Sequence, residues 1–258
     1  MKNRLQKLFG EAKKPLLSVF YTAGFPKLND TSLIAASLEQ AGADLIEIGI
    51  PFSDPVADGP TIQQSNKVAL DNGITVARIL EQVKDIRKSV QMPIILMGYL
   101  NPVMQYGIEK FAKEASAAGV DGVILPDMPV MEYERDYKKV FEENNLLMTF
   151  LISPTTSPER IKKIDQLSTG FIYAVSASST TGAKSGFANE QLDYFARLKK
   201  LKLKNPFLIG FGISNNATFR QASEYSAGAI VGSAFVNMLK DSKDIQKDVD
   251  TFVKDLVG

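Results

Sequence analysis

The sequence feature that most constrains the fold is a repeat of a short apolar run followed by an amphipathic stretch. It occurs eight times in 258 residues. Most of the runs are continuously apolar, as in strands of a parallel sheet whose outer face is covered by helices. Eight such units in one domain-sized chain predict an α/β protein with a closed (β/α)8 TIM barrel, and a doubly wound open sheet is the alternative. The predicted strands are 16–21, 44–50, 93–99, 122–126, 146–152, 170–175, 206–210 and 229–231.

Helical periodicity fills the intervals between these strands. Two helices end at Gly42 and Gly119 and lead into their strands through Ala-Gly-x-Asp turns, with a weaker third copy at 227–229. Glycine suits the left-handed position that follows a helix. The helices are predicted at 31–41, 108–118, 158–167, 216–225 and 243–257, with an extra N-terminal helix and a short helix, 234–239, after strand eight. We predict a single domain spanning residues 1–258.

Composition excludes several classes of chemistry. The 30 basic and 29 acidic residues give no electrostatic reason to expect nucleic acid as a partner. The chain has no cysteine and no histidine, so His-based triads and most catalytic zinc sites are excluded and we predict no metal. Acid–base catalysis must therefore use carboxylates, tyrosine or lysine. No apolar run reaches the length of a membrane span, and we expect a cytoplasmic protein.

A carboxylate interrupts the second apolar run. Alternation along a strand puts Glu47 on the face opposite Ile46 and Ile48, and so towards the barrel interior. Burial of a carboxyl group raises its pKa, which suits proton transfer near neutrality. A structural glutamate held by a lysine or by backbone donors is the alternative. The stiff, proline-rich loop 51–60 follows, and Asp54 and Asp58 are candidates for chemistry or simply turn residues.

Glycines after the late strands predict an anion site. Gly212 follows strand seven, and Gly232 and Ser233 follow strand eight at the start of a short helix. Barrels frequently bind phosphate with these loops and this helix N-terminus, although tight turns alone also require glycine. Four aromatic residues at the ends of predicted strands suggest a pocket for a flat apolar group: Phe20, Tyr99, Tyr173 and Phe211. Tyr173 could also donate a proton or a hydrogen bond.

Several motifs together resemble one family, the α subunit of tryptophan synthase. The segment 46–61, IEIGIPFSDPVADGPT, is similar to the signature of that family's catalytic loop. The motifs LMGYLNPV, LPDMPVME, TTGA, GFGIS and VGSAFV follow in the family's order, so the resemblance covers essentially the whole chain. It implies retro-aldol cleavage of indole-3-glycerol phosphate to indole and D-glyceraldehyde 3-phosphate.

The resemblance also implies roles for individual residues. Glu47 and Asp58 match the two catalytic carboxylates, and Tyr173 matches a tyrosine near the substrate. The implied indole pocket contains Phe20, Tyr99, Leu125, Ile152 and Phe211, and the implied phosphate site contains Gly182, Gly212, Gly232 and Ser233.

A partner is implied as well. The family's α subunit forms an αββα heterotetramer with a β subunit whose pyridoxal phosphate joins indole to serine, while the α subunit needs no cofactor. Pro51 and Asp54 match positions at the partner interface, and Thr181 matches a residue of a loop that closes over substrate. The family often has an arginine before this threonine. Here the stretch 177–180 is Ala-Ser-Ser-Thr, so an arginine contribution to loop closure is lost or supplied elsewhere.

Three other functions remain open at this stage. They are a stand-alone indole-releasing lyase, a non-catalytic subunit that only activates its partner, and another phosphate-binding barrel such as a sugar-phosphate isomerase. Intact Glu47 and Asp58 argue against the second, and the long motif around Asp58 argues against the third.

Overall fold

Eight parallel strands close into a barrel in the order of the sequence, which confirms the predicted (β/α)8 fold. The structure is a computed structural model that describes residues 3–176 and 186–258. The strands are β1 (Leu16–Thr22), β2 (Leu45–Gly49), β3 (Ile94–Met97), β4 (Gly122–Ile124), β5 (Leu147–Ile152), β6 (Ile172–Val175), β7 (Phe207–Gly210) and β8 (Gly228–Val231). Several are shorter than predicted by one to three residues, because apolar residues just outside the strands, at either end of the barrel, belong to the connecting loops.

The helices surround the barrel. They are α1 (Arg4–Glu11), α2 (Asp30–Ala41), α3 (Pro60–Asp71), α4 (Val76–Ile86), α5 (Leu100–Tyr106), α6 (Ile108–Ala118), α7 (Val130–Glu132), α8 (Lys138–Glu143), α9 (Pro158–Leu167), α10 (Asn189–Lys200), α11 (Asn216–Ser223), α12 (Ser233–Asp241) and α13 (Ile245–Val257). The long β2–β3 connection contains two helices, α3 and α4. A π-helical segment, Tyr133–Tyr137, joins α7 to α8.

Strand alternation separates two apolar layers. The inner layer fills the barrel and includes Leu16, Leu45, Ile95 and Ile230. The residues between them on the same strands face the helices and form the larger outer core. Side chains at successive strand positions point to opposite faces of the sheet. A shift of one position along a strand therefore moves a side chain from the barrel interior to the helix-facing side.

Two of the Ala-Gly-x-Asp turns connect helix to strand in the same way. Gly42 and Gly119 adopt left-handed conformations with φ of 96° and 95° and end their helices, as predicted. The aspartates two residues later accept backbone N–H groups from neighbouring strands: Asp44 from Leu17 at 2.8 Å and Asp121 from Ile94 at 2.9 Å. The third copy differs, because Gly228 lies in β8 against the Leu16 backbone, where a Cβ has no room.

Helix α1 covers the N-terminal end of the barrel. Leu5 is fully buried in the inner layer, and the Phe9 ring lies 5.6 Å from that of Phe171. The inner layer is therefore packed at this end. None of the helices in the described residues is long and apolar enough to cross a membrane.

Candidate active site

A cavity of about 460 Å³ lies at the C-terminal ends of the strands. This is the end at which barrel enzymes hold their catalytic groups. The polar residues in its lining include Glu47, Asp58, Asn66, Tyr173, Ser214, Ser233 and Asn237, and the apolar ones include Phe20, Met97, Leu151 and Phe211. The structure therefore brings the predicted carboxylates, aromatic residues and late glycines together.

Glu47 occupies the inner face of β2 and is fully buried. The Ser18 hydroxyl donates to its Oε1 atom at 2.7 Å. Its Oε2 atom has no hydrogen-bond partner among the described residues. Burial raises the pKa of Glu47 to about 7, although the hydrogen bond from Ser18 lowers it. Glu47 can therefore give up and take back a proton near neutrality.

Asp58 reaches the same cavity from the loop before α3. It is half-buried, and burial raises the pKa of its carboxyl group, while hydrogen bonds from Asn66 and Tyr99 act in the opposite direction. The Asn66 Nδ2 atom lies 3.4 Å from Oδ2. The Tyr99 hydroxyl also accepts the backbone N–H of Ala57 at 3.0 Å, which attaches the loop to the end of β3. These contacts hold the carboxylate at the cavity wall.

Tyr173 lies on the inner face of β6 and lines the cavity. Burial raises its pKa well above the ordinary value, and the negative charges of Glu47 and Asp58 add to the effect. Its hydroxyl therefore keeps its proton and can act as a hydrogen-bond donor. The ring lies over Gly210, where any Cβ atom collides with the tyrosine hydroxyl.

The contact between Tyr173 and Gly210 yields a prediction. Gly210→Ala is expected to push the Tyr173 ring into the cavity and to lower kcat/KM by about 10- to 100-fold. Gly10→Ala is the matched control, because nothing lies within 4 Å of a Cβ at that helical position. Steady-state kinetics of both variants, with circular dichroism to verify folding, make the measurement. Equal activity of the two variants contradicts the prediction.

The aromatic wall contains three of the five predicted pocket residues, Phe20, Tyr99 and Phe211. The other two, Leu125 and Ile152, belong to the outer core and do not line the cavity. Their neighbours Pro126 and Leu151 line it instead. The reason is strand alternation: the inward positions of β5 are 147, 149 and 151, so Ile152 faces the helices.

The late loops form a corner of the cavity suited to an anion. Gly212, Gly232 and Ser233 all line it, and α12 begins at Ser233 without a side-chain cap. Uncapped N–H groups and the helix dipole favour negative charge at this position. Phe211 and Gly212 have φ of 66° and 78°, so the chain turns sharply after β7. Thr181 and Gly182, and the stretch 177–180, lie outside the described residues.

The proline-rich loop has one buried end and one exposed tip. Pro51 is buried, whereas Asp54 is exposed and accepts a hydrogen bond from Ser53. Val56, two residues later, is 86% exposed. Val56 therefore presents apolar surface at the exposed tip of the loop.

Sequence reasoning missed several residues that line the cavity or contact its carboxylates. Ser18 could have been noticed, since alternation places it inward between Leu16 and Phe20 on an otherwise apolar face. Asn66 has no comparable signal, because its contact with Asp58 depends on how α3 folds back over the loop. Leu151, Pro126, Ser214 and Asn237 also line the cavity and were not predicted.

The fold and this cavity define a class: a (β/α)8-barrel with two carboxylates and an uncapped helix N-terminus at its mouth, an arrangement found in barrel enzymes that act on phosphorylated substrates. The family model for the tryptophan synthase alpha chain matches residues 6–256. The chain belongs to the tryptophan synthase alpha chain family, whose members are lyases.

Individual relatives agree with this assignment. The alpha chain of Flavobacterium psychrophilum is 53% identical over 240 residues, covering 93% of this chain and 94% of the relative. The solved alpha chain from Legionella pneumophila is 35% identical with a TM-score of 0.90, covering 100% of this chain and 97% of that one. An aminoacrylate-bound tryptophan synthase structure from M. tuberculosis is 29% identical with a TM-score of 0.86, covering 99% and 98%.

Proposed function

We propose that Glu47, Asp58 and Tyr173 carry out the lyase reaction of this family, the retro-aldol cleavage of indole-3-glycerol phosphate to indole and D-glyceraldehyde 3-phosphate. The observation that carries the proposal is the buried Glu47 carboxyl with one free oxygen, in the same cavity as Asp58. A group that must both give and take a proton works best with a pKa near the operating pH, and the pKa of Glu47 is about 7.

The proton transfers follow from this arrangement. In its acid form, Glu47 donates its proton to C3 of the indole ring and gives an indolenine. The resulting carboxylate accepts the proton of the C3′ hydroxyl while the bond between C3 and C3′ breaks, so Glu47 ends the cycle protonated. Positive charge moves onto the ring N–H during these steps, and the ionised Asp58 stabilises it electrostatically. Tyr173, which keeps its proton, donates a hydrogen bond within the cavity.

The shape of the cavity orients this substrate. Phe20, Tyr99 and Phe211 offer apolar and aromatic surface to the indole ring. Gly212, Gly232 and Ser233 receive the phosphate at the start of α12. Gly182, which the family resemblance assigns to the same phosphate, lies outside the described residues. The reacting carbon atoms between ring and phosphate then lie within the cavity that Glu47 lines.

A direct assay tests the reaction. The purified chain is incubated with indole-3-glycerol phosphate, alone and with a β subunit, and indole and glyceraldehyde 3-phosphate are measured by chromatography. We expect the two products in equal amounts. The absence of both products under both conditions rejects the proposal.

The phosphate site yields a further prediction. Ser233→Asp places a negative charge at the start of α12, where it stabilises the helix but repels phosphate. We expect KM to rise by about 10- to 100-fold with little change in thermal stability. Ser89→Asp is the control, because it adds the same charge at an exposed residue outside the cavity. An unchanged KM for Ser233→Asp, measured in steady state, contradicts the phosphate assignment.

Membership of the family implies a β-subunit partner. We propose that two copies of this chain join two β subunits in an αββα complex. In that complex the β subunit holds the pyridoxal phosphate, and the indole released by this chain passes to the β subunit. The exposed tip of the proline-rich loop supports a contact at Asp54 and Val56, with Pro51 buried behind it. The role in loop closure that the resemblance gives to Thr181 concerns a residue outside the described ranges.

The partner surface can be tested by one substitution. Val56→Asp removes exposed apolar surface from the loop, and we expect at least a 10-fold weaker affinity for the β subunit, measured by calorimetry. Leu33→Asp is the control, since Leu33 is an exposed leucine of α2. Light scattering of the chain with and without the β subunit gives the stoichiometry. Equal affinities of the two variants would place the interface elsewhere.

A further inference from the structure

Ser18 is a polar residue within the apolar inner layer of the barrel. It lies on the inner face of β1 between Leu16 and Phe20, and it pairs in register with Leu45 of β2 and Ile230 of β8. Its exposed fraction is 0%. A buried hydroxyl costs free energy unless it forms a hydrogen bond, so packing alone favours an apolar residue at this position.

The Ser18 side chain forms its hydrogen bond with the carboxyl group of Glu47. Among the described residues, the Ser18 Oγ atom donates its hydrogen bond to Oε1 of Glu47, at 2.7 Å. The two residues are diagonal neighbours, because Glu47 pairs with Phe20, two residues beyond Ser18 on the same face. The hydroxyl therefore contacts the carboxyl from the packed side of the barrel, below the cavity.

The two oxygen atoms of Glu47 are consequently not equivalent. Oε1 is held by Ser18, whereas Oε2 is buried without a partner among the residues that the structure describes. A hydroxyl that donates to one carboxyl oxygen favours the acidic proton on the other. The side chain is also restrained in a single rotamer, because turning it breaks the hydrogen bond.

We propose that Ser18 is a positioning residue for the reaction: it holds Oε1 of Glu47 and so makes Oε2 the oxygen that exchanges protons with the substrate. This inference rests on the proposed role of Glu47. Oε2 gives its proton to indole C3, and the same atom takes the proton of the C3′ hydroxyl as the carbon–carbon bond breaks. Ser18 keeps its own proton throughout and touches no reacting atom.

Four variants test the proposal. Ser18→Ala and Ser18→Val remove the hydroxyl, and Ser18→Thr keeps it in nearly the shape of valine. Thr149→Val is the control, because Thr149 is a buried hydroxyl residue on β5 whose Oγ1 atom accepts the backbone N–H of Phe171 and forms no hydrogen bond with Glu47. We expect Ser18→Ala and Ser18→Val to lower kcat by about 10- to 100-fold with little change in KM. Ser18→Thr and Thr149→Val are expected to stay near the wild-type kcat.

A titration gives a second readout that does not depend on activity. The carboxyl carbon of Glu47 is followed by 13C NMR in labelled protein, with its signal assigned by its loss in Glu47→Gln. The hydrogen bond from Ser18 lowers the pKa of Glu47. The titration midpoint is therefore expected to move to higher pH in Ser18→Ala and Ser18→Val and to remain in place in Ser18→Thr and Thr149→Val.

The outcomes separate this inference from the proposed function. The positioning role of Ser18 is overturned if Ser18→Val keeps the wild-type kcat and the wild-type titration midpoint. It is also overturned if Ser18→Val and Ser18→Thr lose kcat equally, because the loss then comes from the changed packing and not from the missing hydroxyl. If Glu47→Gln is inactive while Ser18→Val behaves like Ser18→Thr, only the role of Ser18 fails. If Glu47→Gln remains active, the proposed function itself fails.

Discussion

Glu47→Gln is expected to lower kcat for indole-glycerol phosphate cleavage by about 1,000- to 10,000-fold, because in the proposed mechanism this one side chain both donates and accepts the transferred proton. The glutamine amide fits the same buried space and can still accept a hydrogen bond from Ser18 through its oxygen. It cannot exchange a proton near neutrality. The loss is therefore expected in kcat, with KM nearly unchanged.

The same substitution has an expected signature in stability. Burial raises the pKa of Glu47 from its ordinary 4.5 to about 7, so the folded protein holds this proton more tightly than the unfolded chain. The stabilisation is complete below pH 4.5 and is lost as the pH rises through 7, by up to about 3 kcal/mol. Glu47→Gln is expected to lack this decline.

Steady-state kinetics and urea unfolding at several pH values between 4 and 9 make both measurements. Thr149→Val again serves as the control for a change inside the barrel. A variant that retains more than about a tenth of the wild-type kcat contradicts the assignment of Glu47. A wild-type stability that does not fall between pH 4.5 and 7 relative to the variant contradicts a raised pKa.

Asp58→Asn is expected to lower kcat by about 100- to 1,000-fold, because a neutral amide cannot stabilise the positive charge that the proposed mechanism develops on the indole N–H. Asp58 already accepts hydrogen bonds from Asn66 and Tyr99. Asparagine keeps one accepting oxygen for these donors, and the hydrogen bond from the Ala57 N–H to the Tyr99 hydroxyl does not involve the side chain at 58. The geometry of the loop should therefore persist in the variant, and thermal stability should change little. KM is expected to rise less than kcat falls, since the charge develops mainly in the transition state.

Asp54→Asn is a closely matched control for this experiment. It makes the same chemical change in the same loop, at an exposed residue that does not line the cavity. Both variants are assayed without the β subunit, so that effects at the partner surface do not enter. Asp54→Asn should retain wild-type kcat. Equal losses in the two variants would indicate that the loop, rather than the Asp58 carboxylate, supports the reaction.

Much of the fold could be predicted because it depends on short-range patterns. Eight apolar runs alternating with helices left few arrangements other than a closed parallel barrel. The glycines after α2 and α6 marked helix ends from their sequence alone. The alternation of side chains between the two faces of β2 is enough to place Glu47 on the inner face of the barrel. The family resemblance assigns Leu125 and Ile152 to the pocket, but both belong to the outer core, as the same alternation along β4 and β5 indicates.

The sequence by itself determined the barrel, the inward direction of Glu47 and the late glycines, since each follows from local periodicity or backbone geometry. The tertiary structure decided which groups meet. Ser18 contacts Glu47 across 29 residues of sequence only because β1 and β2 pair in one particular register. Asn66 reaches Asp58 only because α3 returns over its own preceding loop. Such contacts depend on packing between elements, and no local pattern encodes the register or direction of that packing.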